Sequence, residues 1–332
     1  MNNVEISQFP KELQETLYKY FQIKYPNIKI KLLNQKIYSS EEKSLVNISK
    51  EISVFEKIWK KSSINSFDVE ELVLNSSRIS DLALAEIKEP VKNLILKYMI
   101  KKCNIKDFNQ DLIELLSNIF NVDSERIKEA PNNINIQSAK LLGLDKNKGV
   151  VRLANGTNEE YKTFALCHHC YKEQIINGFS SEIITGECYR KEEFYNKFRL
   201  SKFLMTEILF YGNETELFEV REKIIYLFWC IGQNLNQKFR IKIANDTFMS
   251  DNPEVILYQI LNKSKLELEV YSKSEDKYIS VASINFHGSY FSRKFLIQNE
   301  NRTFVQTMCV GFGINRIFEI LKEIKNEEIY GY

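Results

Sequence analysis

The chain has 332 residues, of which 44% are hydrophobic and 27% charged, with a formal net charge of +2. These values sit near the globular average and exclude wholesale disorder, and the length allows a large domain plus a smaller one without disulfide support. No apolar run approaches the roughly 18 residues of a spanning helix, and the first ten residues carry no apolar signal core, so the expectation is a cytoplasmic protein with no membrane role. The six cysteines (Cys103, Cys167, Cys170, Cys188, Cys230 and Cys309) are scattered, which points to thiols or metal ligands rather than a disulfide framework.

The first third is rich in Lys, Glu, Leu and Ile, and segments 76–100 and 108–120 have helical apolar spacing. Through residue 135 there are 20 Lys and Arg against 19 Asp and Glu, so this region is not the basic arm expected of a domain that wraps RNA phosphates. An Asn-rich stretch at 131–137 is the best boundary, giving a mostly helical region over 1–135 and a sheet domain over 136–332. Strands are expected at 150–154, 183–190, 198–211, 239–244, 265–271, 279–287 and 303–310. Asn213 and Glu216 form a capping-box pattern, followed by Leu217, Val220, Ile224, Phe228 and Ile231 at helical spacing. A last helix at 314–324 follows a Gly-Phe-Gly turn. The composition of elements is α+β.

Strand parity brings certain side chains together. Arg190 and Glu192 share a face, and on the next strand Phe203, Met205, Glu207 and Leu209 do the same, so Glu207 sits among large apolar neighbours. A buried carboxylate needs a cation, a metal or hydrogen-bond donors; a structural Arg–Glu pair on a hairpin is the simplest solution. Lys265, Glu267 and Glu269 project together, as do Ser283, Asn285 and His287, either lining a site or forming a solvated face. Near the C-terminus Gly311-Phe-Gly-Ile-Asn-Arg316 has Arg316 where a dinucleotide fingerprint requires its third glycine, and no strand follows to complete a βαβ unit.

Taken in order, these pieces resemble the signature motifs of class II aminoacyl-tRNA synthetases: Arg190-Lys-Glu192 with its loop and the strand to Glu207 resembles the second, and Gly311 to Arg316 the third. Within that class the chain is most similar to the amino acid–carrier protein ligases, truncated homologues of atypical archaeal seryl-tRNA synthetases. The strings that carry the resemblance are Ala165-Leu-Cys-His-His-Cys-Tyr171, Gly186-Glu-Cys-Tyr-Arg-Lys-Glu192, Phe203-Leu-Met-Thr-Glu207, Ala244-Asn-Asp246, Ser283-Ile-Asn-Phe-His287 and Cys309-Val-Gly-Phe-Gly313. They run from about 150 to 325.

The resemblance implies a class II catalytic domain with a mainly antiparallel sheet, and a zinc ion held by Cys167, Glu207 and Cys309 with one position open for the substrate's α-amino group. Cys170 competes with Cys167 for the first place. A zinc ribbon would need a second close cysteine pair, and a redox dithiol a thioredoxin-like context. The same resemblance assigns Arg190 to the α-phosphate of ATP, Glu192 to the adenine amino group, Phe203 to stacking on adenine, and Arg316 to the γ-phosphate or the far side of the ring. Glu267 becomes a magnesium ligand, and Ser283 and Asn285 line the amino acid. The residues before Ser283 are Ile279-Ser-Val-Ala, without the acid that the class shows there.

The implied reaction is activation of a small amino acid as its adenylate and transfer to the phosphopantetheine thiol of a carrier protein. A tRNA acceptor is disfavoured by the charge-balanced N-terminal third, interrupted by Pro10, Pro26 and Pro90. A seryl-type tRNA synthetase and a catalytically silent amino-acid-binding paralogue are the alternatives. Class membership implies a homodimer; the first class II motif is not located, with Pro90 and Pro131 the prolines available for it.

Overall fold

The computed structural model describes residues 3–61, 81–100, 104–146, 149–155, 158–244 and 253–330. Cys103, Asn245 and Asp246 lie outside them. The chain forms two compact units: residues 1–72 with 242–266, and residues 73–241 with 267–332.

In the first unit a three-stranded antiparallel sheet, ordered β1-β3-β2, is built from β1 (Asn3–Glu5), β2 (Ile30–Leu33) and β3 (Lys36–Ser39). Asn34 and Gln35 between β2 and β3 both have positive φ, 48° and 60°, the geometry of a tight hairpin turn whose twist matches its strands. Helix α1 (Lys11–Lys24) buries Leu13, Leu17, Tyr20 and Phe21, one stripe at helical spacing. Helix α2 (Glu42–Lys61) buries Ile48, Ile52, Phe55 and Trp59 in the same way. The later segment contributes α7 (Pro253–Leu261), with Leu257, Ile260 and Leu261 fully buried. Helices dominate this region as expected; its short strands, three or four residues each, are too brief to leave an alternating signature.

The second unit begins with α3 (Asp81–Ile100) and α4 (Ile105–Phe120). Asn104 caps α4 by accepting from the amides of Lys106 and Asp107, and Asn121 closes it in the left-handed region at φ 51°. After β4 (Ile127–Glu129), a small sheet ordered β5-β7-β6 is formed by β5 (Asn133–Asn135), β6 (Arg152–Asn155) and β7 (Asn158–Lys162), with α5 (Ile136–Leu142) following β5. A parallel pair joins β8 (Gln174–Ile175) to β14 (Ile297–Gln298).

The central sheet has seven strands in the order β11-β12-β13-β15-β10-β9-β4. Its members are β9 (Ser180–Tyr189), β10 (Lys202–Gly212), β11 (Phe239–Ile243), β12 (Lys265–Ser272), β13 (Lys277–Gly288), β15 (Gln306–Gly313) and β4. The β9, β10, β15 and β13 pairings are antiparallel, and β4 joins β9 in parallel, a mixed but mainly antiparallel sheet. Helix α6 (Glu214–Asn234) starts at the anticipated capping box, with Asn213 and Glu216 each satisfying the other's amide. Helix α8 (Tyr290–Phe295) follows β13, and α9 (Ile314–Tyr330) follows β15 directly.

One sheet face is hydrocarbon. Ile208 and Phe210 of β10, Met308, Val310 and Phe312 of β15 and Ile284 of β13 are fully buried there, together with Leu217, Ile224 and Phe228 of α6; the Phe228 and Phe312 rings meet edge to face at 5.9 Å. Burying such side chains contributes about 1.5–3 kcal/mol each. Within this face Asn109 of α4 accepts from Thr206 and donates to Thr185, fixing α4 against β9 and β10 where a slip would strand buried polar atoms. By strand alternation, the residues between these project to the opposite face, where the polar side chains gather.

Candidate active site

Antiparallel register decides which side chains meet. Glu207 on β10 lies opposite Gly311 of β15 and Ile184 of β9; Leu209 lies opposite Cys309, and Cys309 opposite Asn285 of β13. Partners across a ladder share a face, so Glu207, Cys309, Asn285 and Ser283 all project to the same side. The missing side chain at Gly311 makes room for its neighbours: a Cβ there would stand 3.1 Å from Met205 Cε and 3.7 Å from Glu207 Cγ.

The third member arrives from a loop. A single 3-10 turn, Leu166–His169, lays its backbone over the Glu207 carboxylate, whose two oxygens accept from the amides of Leu166 and Cys167, both at 3.0 Å. That contact brings the Cys167 sulfur to the strands. Ligand atoms of Cys167, Glu207 and Cys309 all lie within 4.8 Å of one another, and the three residues are only 5%, 3% and 4% exposed. Cys170 is buried too, but its thiol faces the Glu182 carboxylate, which together with burial pushes its pKa up. The turn therefore presents Cys167 to the cluster.

Electrostatics separate the two clustered thiols. A hydrogen bond between them leaves the proton on Cys167, raised well above the usual thiol range, and lowers Cys309 well below it, with further help from His287 and Asn285. Burial raises Glu207 to about 7, the negative Cys309 adding to the effect. Two sulfurs and a carboxylate, dry and within a few ångströms, are a soft-to-borderline donor set of the kind that suits zinc. The surplus negative charge in a buried corner is the condition a divalent cation would relieve. The donors present thus fit the implied metal.

Around Cys309 stand Asn285, whose Nδ2 is 3.6 Å from the sulfur and 3.3 Å from Ser283 Oγ, and His287, whose Nε2 is 3.5 Å from it. All three of the chain's histidines gather on this side: His168 is fully enclosed and held neutral by burial, its pKa lowered to about 3, and His169 meets Thr163 Oγ1 at 2.9 Å. Sequence reasoning placed Asn285 at the amino acid and gave His287 no role. The Ser-x-Asn-x-His alternation was the available signal, but it cannot say which sulfur lies across the ladder.

Further along the same face is the arginine-rich end. The Arg190 guanidinium lies between two rings, 5.0 Å from the centroid of Phe164 and 5.1 Å from that of Phe203, an arrangement that favours a planar cation. Phe164 was not anticipated, since it precedes the cysteine loop by three residues and no periodicity marks it. Glu192 is half-buried and paired with Arg199 at 3.0 Å. Arg316, in the first turn of α9, donates from Nε to the Phe198 carbonyl at 2.8 Å and from Nη1 to the Ser280 carbonyl at 2.9 Å, tying the loop between β9 and β10 to β13. Burial and the nearby Arg190 charge lower it to about 10, with Glu267 among the groups that offset this. Glu269, two residues on, is taken by Arg240. An open depression of about 520 Å³ runs past Arg190, with Arg152, Lys191 and Tyr195 on its wall.

The architecture is that of class II aminoacyl-tRNA synthetases. A crystal structure of A. aeolicus tRNASec in complex with M. kandleri SerRS matches 99% of this chain and 77% of its own with a TM-score of 0.53 at 13% identity. Seryl-tRNA synthetase from Pyrococcus horikoshii, complexed with ATP, matches 73% of this chain and 51% of its own with a TM-score of 0.50 at 15% identity. In sequence the chain is similar to amino acid–[acyl-carrier-protein] ligases 1 and 2 of Bradyrhizobium diazoefficiens, 27% and 29% identical over 135 residues, 40% of this chain in each case. A type-2 serine–tRNA ligase of Methanocaldococcus jannaschii is 26% identical over 123 residues, 36% of this chain and 24% of its own length. The matches span 41% and 40% of the two carrier-protein ligases. No family model matches the chain.

Proposed function

We propose that this protein is an ATP-dependent ligase that activates a small amino acid as its aminoacyl-adenylate and passes it to the phosphopantetheine thiol of a carrier protein. The observation that carries this reading is the Cys167, Glu207 and Cys309 cluster on the same sheet face as Arg190. Phe203 and Glu207 are four residues apart on β10, about 13 Å, a span that suits an amino acid joined to a nucleotide through one phosphate.

In this reading Cys167, Glu207 and Cys309 hold zinc, which when bound supplies a Lewis-acid grip on a free α-amino group. Ser283 and Asn285 flank the amino acid. The substrate carboxylate attacks the α-phosphorus in line, pyrophosphate leaves, and no protein nucleophile is needed. Arg190, already oriented between two rings, neutralises charge on the α-phosphate. Phe203 gives the adenine ring a face, Glu192 accepts from its amino group after leaving Arg199, and Arg316 holds the loop that closes over the nucleotide while offering charge to the γ-phosphate. Glu267, beside Arg316, would hold magnesium.

We assign residues 136–332 to the adenylation domain and take the protein to act as a cytoplasmic homodimer without a tRNA substrate. No helix among the described residues is long and apolar enough to cross a membrane. The similarity to type-2 serine–tRNA ligases supports a second reading, aminoacylation of tRNA.

Amino-acid-dependent exchange of pyrophosphate into ATP tests the first step, and its absence across the small amino acids would leave an amino-acid-binding protein. Incubation with a phosphopantetheinylated carrier protein and, separately, with total tRNA tests the acceptor. Loading of the carrier alone is expected; aminoacylated tRNA would select the second reading.

A further inference from the structure

A metal site is only as well defined as the orientation of its ligands, and orientation is set by what the ligands touch on their far side. Glu207 is fixed by two backbone amides. Cys309 has instead two side-chain nitrogens within reach of its sulfur, Asn285 Nδ2 at 3.6 Å and His287 Nε2 at 3.5 Å, distances at which the large sulfur atom still accepts a hydrogen bond.

His287 is itself held on three sides. Its Nδ1 lies 3.1 Å from Thr307 Oγ1 and 3.3 Å from the Tyr171 hydroxyl oxygen. The ring stands edge to face on Phe291 at 4.8 Å, and Tyr171 stacks on that same Phe291 at 4.3 Å with 16° between planes. A cysteine that coordinates a metal has given up its proton, so a bare nitrogen facing Cys309 would set lone pair against lone pair. Nε2 must carry the ring hydrogen. In the neutral ring Nδ1 is then an acceptor, and each of the two hydroxyls beside it can donate.

We propose that His287 is a positioning residue of the metal site, donating Nε2–H to the Cys309 sulfur, and that Tyr171 and Thr307 fix the ring tautomer that makes this possible. Tyr171 lies four residues beyond Cys167, so the chain of contacts from Tyr171 through His287 to Cys309 also links the loop bearing one sulfur to the strand bearing the other. The inference rests on the reading of Cys167, Glu207 and Cys309 as metal ligands. His287 touches one of the three and is not a member of the cluster.

The test is Zn²⁺ affinity of the full chain, by competition with a chromophoric chelator, together with the sulfur-to-metal absorption of the Co²⁺-loaded protein. His287→Phe keeps the ring and removes the N–H; zinc binding should weaken by about 10- to 100-fold, with the Co²⁺ band shifted. His287→Gln, whose side-chain amide offers an N–H at similar reach, should recover most of the loss. The double variant Tyr171→Phe/Thr307→Val leaves His287 in place and should also weaken binding, by less, which tests the tautomer without touching the histidine. Circular dichroism of the metal-free variants should match that of the metal-free parent, showing the fold retained.

Wild-type affinity and an unshifted band in both His287→Phe and the double variant would overturn the inference and leave the metal assignment standing. A Co²⁺ spectrum in which His287→Phe removes a nitrogen ligand would also overturn it, making His287 a ligand. A parent protein that binds Zn²⁺ no better than Cys309→Ser would remove the metal reading itself, and the inference with it.

Discussion

Cys167, Glu207 and Cys309 occupy a sealed corner in which each side chain is already oriented by a backbone amide or a neighbouring side chain, whereas Arg190 and Glu192, at the arginine-rich end, are half-buried, and Glu192 is paired with Arg199. The difference follows from solvation. Ionisable groups withdrawn from water have to be given fixed partners, because an unpaired one costs several kcal/mol. At the half-buried rim an ion pair such as Glu192–Arg199 is worth about 0–1 kcal/mol, so it can be exchanged for a ligand contact at little cost. On the proposed reading, the protein is preassembled where it would hold an amino group and exchangeable where Glu192 would meet a nucleotide.

The comparison is broken most severely at the dry corner. Cys309→Ser should abolish zinc binding and lower amino-acid-dependent pyrophosphate exchange by about a thousandfold, the worth of several kcal/mol of charge stabilisation, while circular dichroism shows the fold retained. Zinc removal by a chelator should have the same effect on the parent protein, reversed on adding the metal back. Exchange that persists in zinc-free protein would detach the cluster from catalysis.

Next in size is Arg190→Ala, expected to lower exchange by about a hundred- to a thousandfold through lost charge stabilisation with zinc stoichiometry unchanged. Equal losses of zinc and activity would mean that the two ends of the face are not separable. Arg316→Ala removes two hydrogen bonds from a charged donor to backbone carbonyls and should destabilise the protein by about 3–6 kcal/mol at most, summing about 1.5–3 for each, measurable by denaturant unfolding. Smallest is Arg199→Ala: its effect on stability should stay within about 1 kcal/mol, with any kinetic change appearing in the KM for ATP.

Most of the sheet was legible because it depends on local rules, although β9 ends at Tyr189, short of the Arg190 and Glu192 that were read as sharing a strand face. Alternation grouped Glu207 with Phe203, Met205 and Leu209 on one strand and Ser283 with Asn285 and His287 on another, and the ladder register brings the two sets to the same side together with Cys309. The capping box at Asn213 and the helix after Gly313 also lie where short-range chemistry puts them. The second strand of the hairpin was expected from 198 but begins at Lys202; the intervening apolar residues include Phe198, which is buried yet uses its carbonyl to accept from Arg316. Pro90 was read as an interruption and instead lies inside α3. The three short strands of the first unit and β4 were missed, since strands of three or four residues are too brief to leave an alternating pattern.

Tertiary contacts explain what was hidden in the site as well. Nothing in Cys167-His-His-Cys170 says which sulfur turns inward; the two amides that cap Glu207 make that choice. Phe164 and Thr307 carry no motif, and each becomes meaningful only when the fold sets it against Arg190 or His287; Tyr171 ends the cysteine string, but its role too comes from its place beside His287.

Gly311 gives the dry corner an adjustable clearance. Because a Cβ at that position would press on Met205 Cε at 3.1 Å and only touch Glu207 Cγ at 3.7 Å, an alanine there would push aside the end of the methionine and leave the carboxylate in ordinary contact. The strand is thus a built-in shim, and a single methyl group offers an experimenter a way to shift the end of Met205 by tenths of an ångström and to measure how closely metal affinity and amino acid selectivity depend on the packing beside the carboxylate.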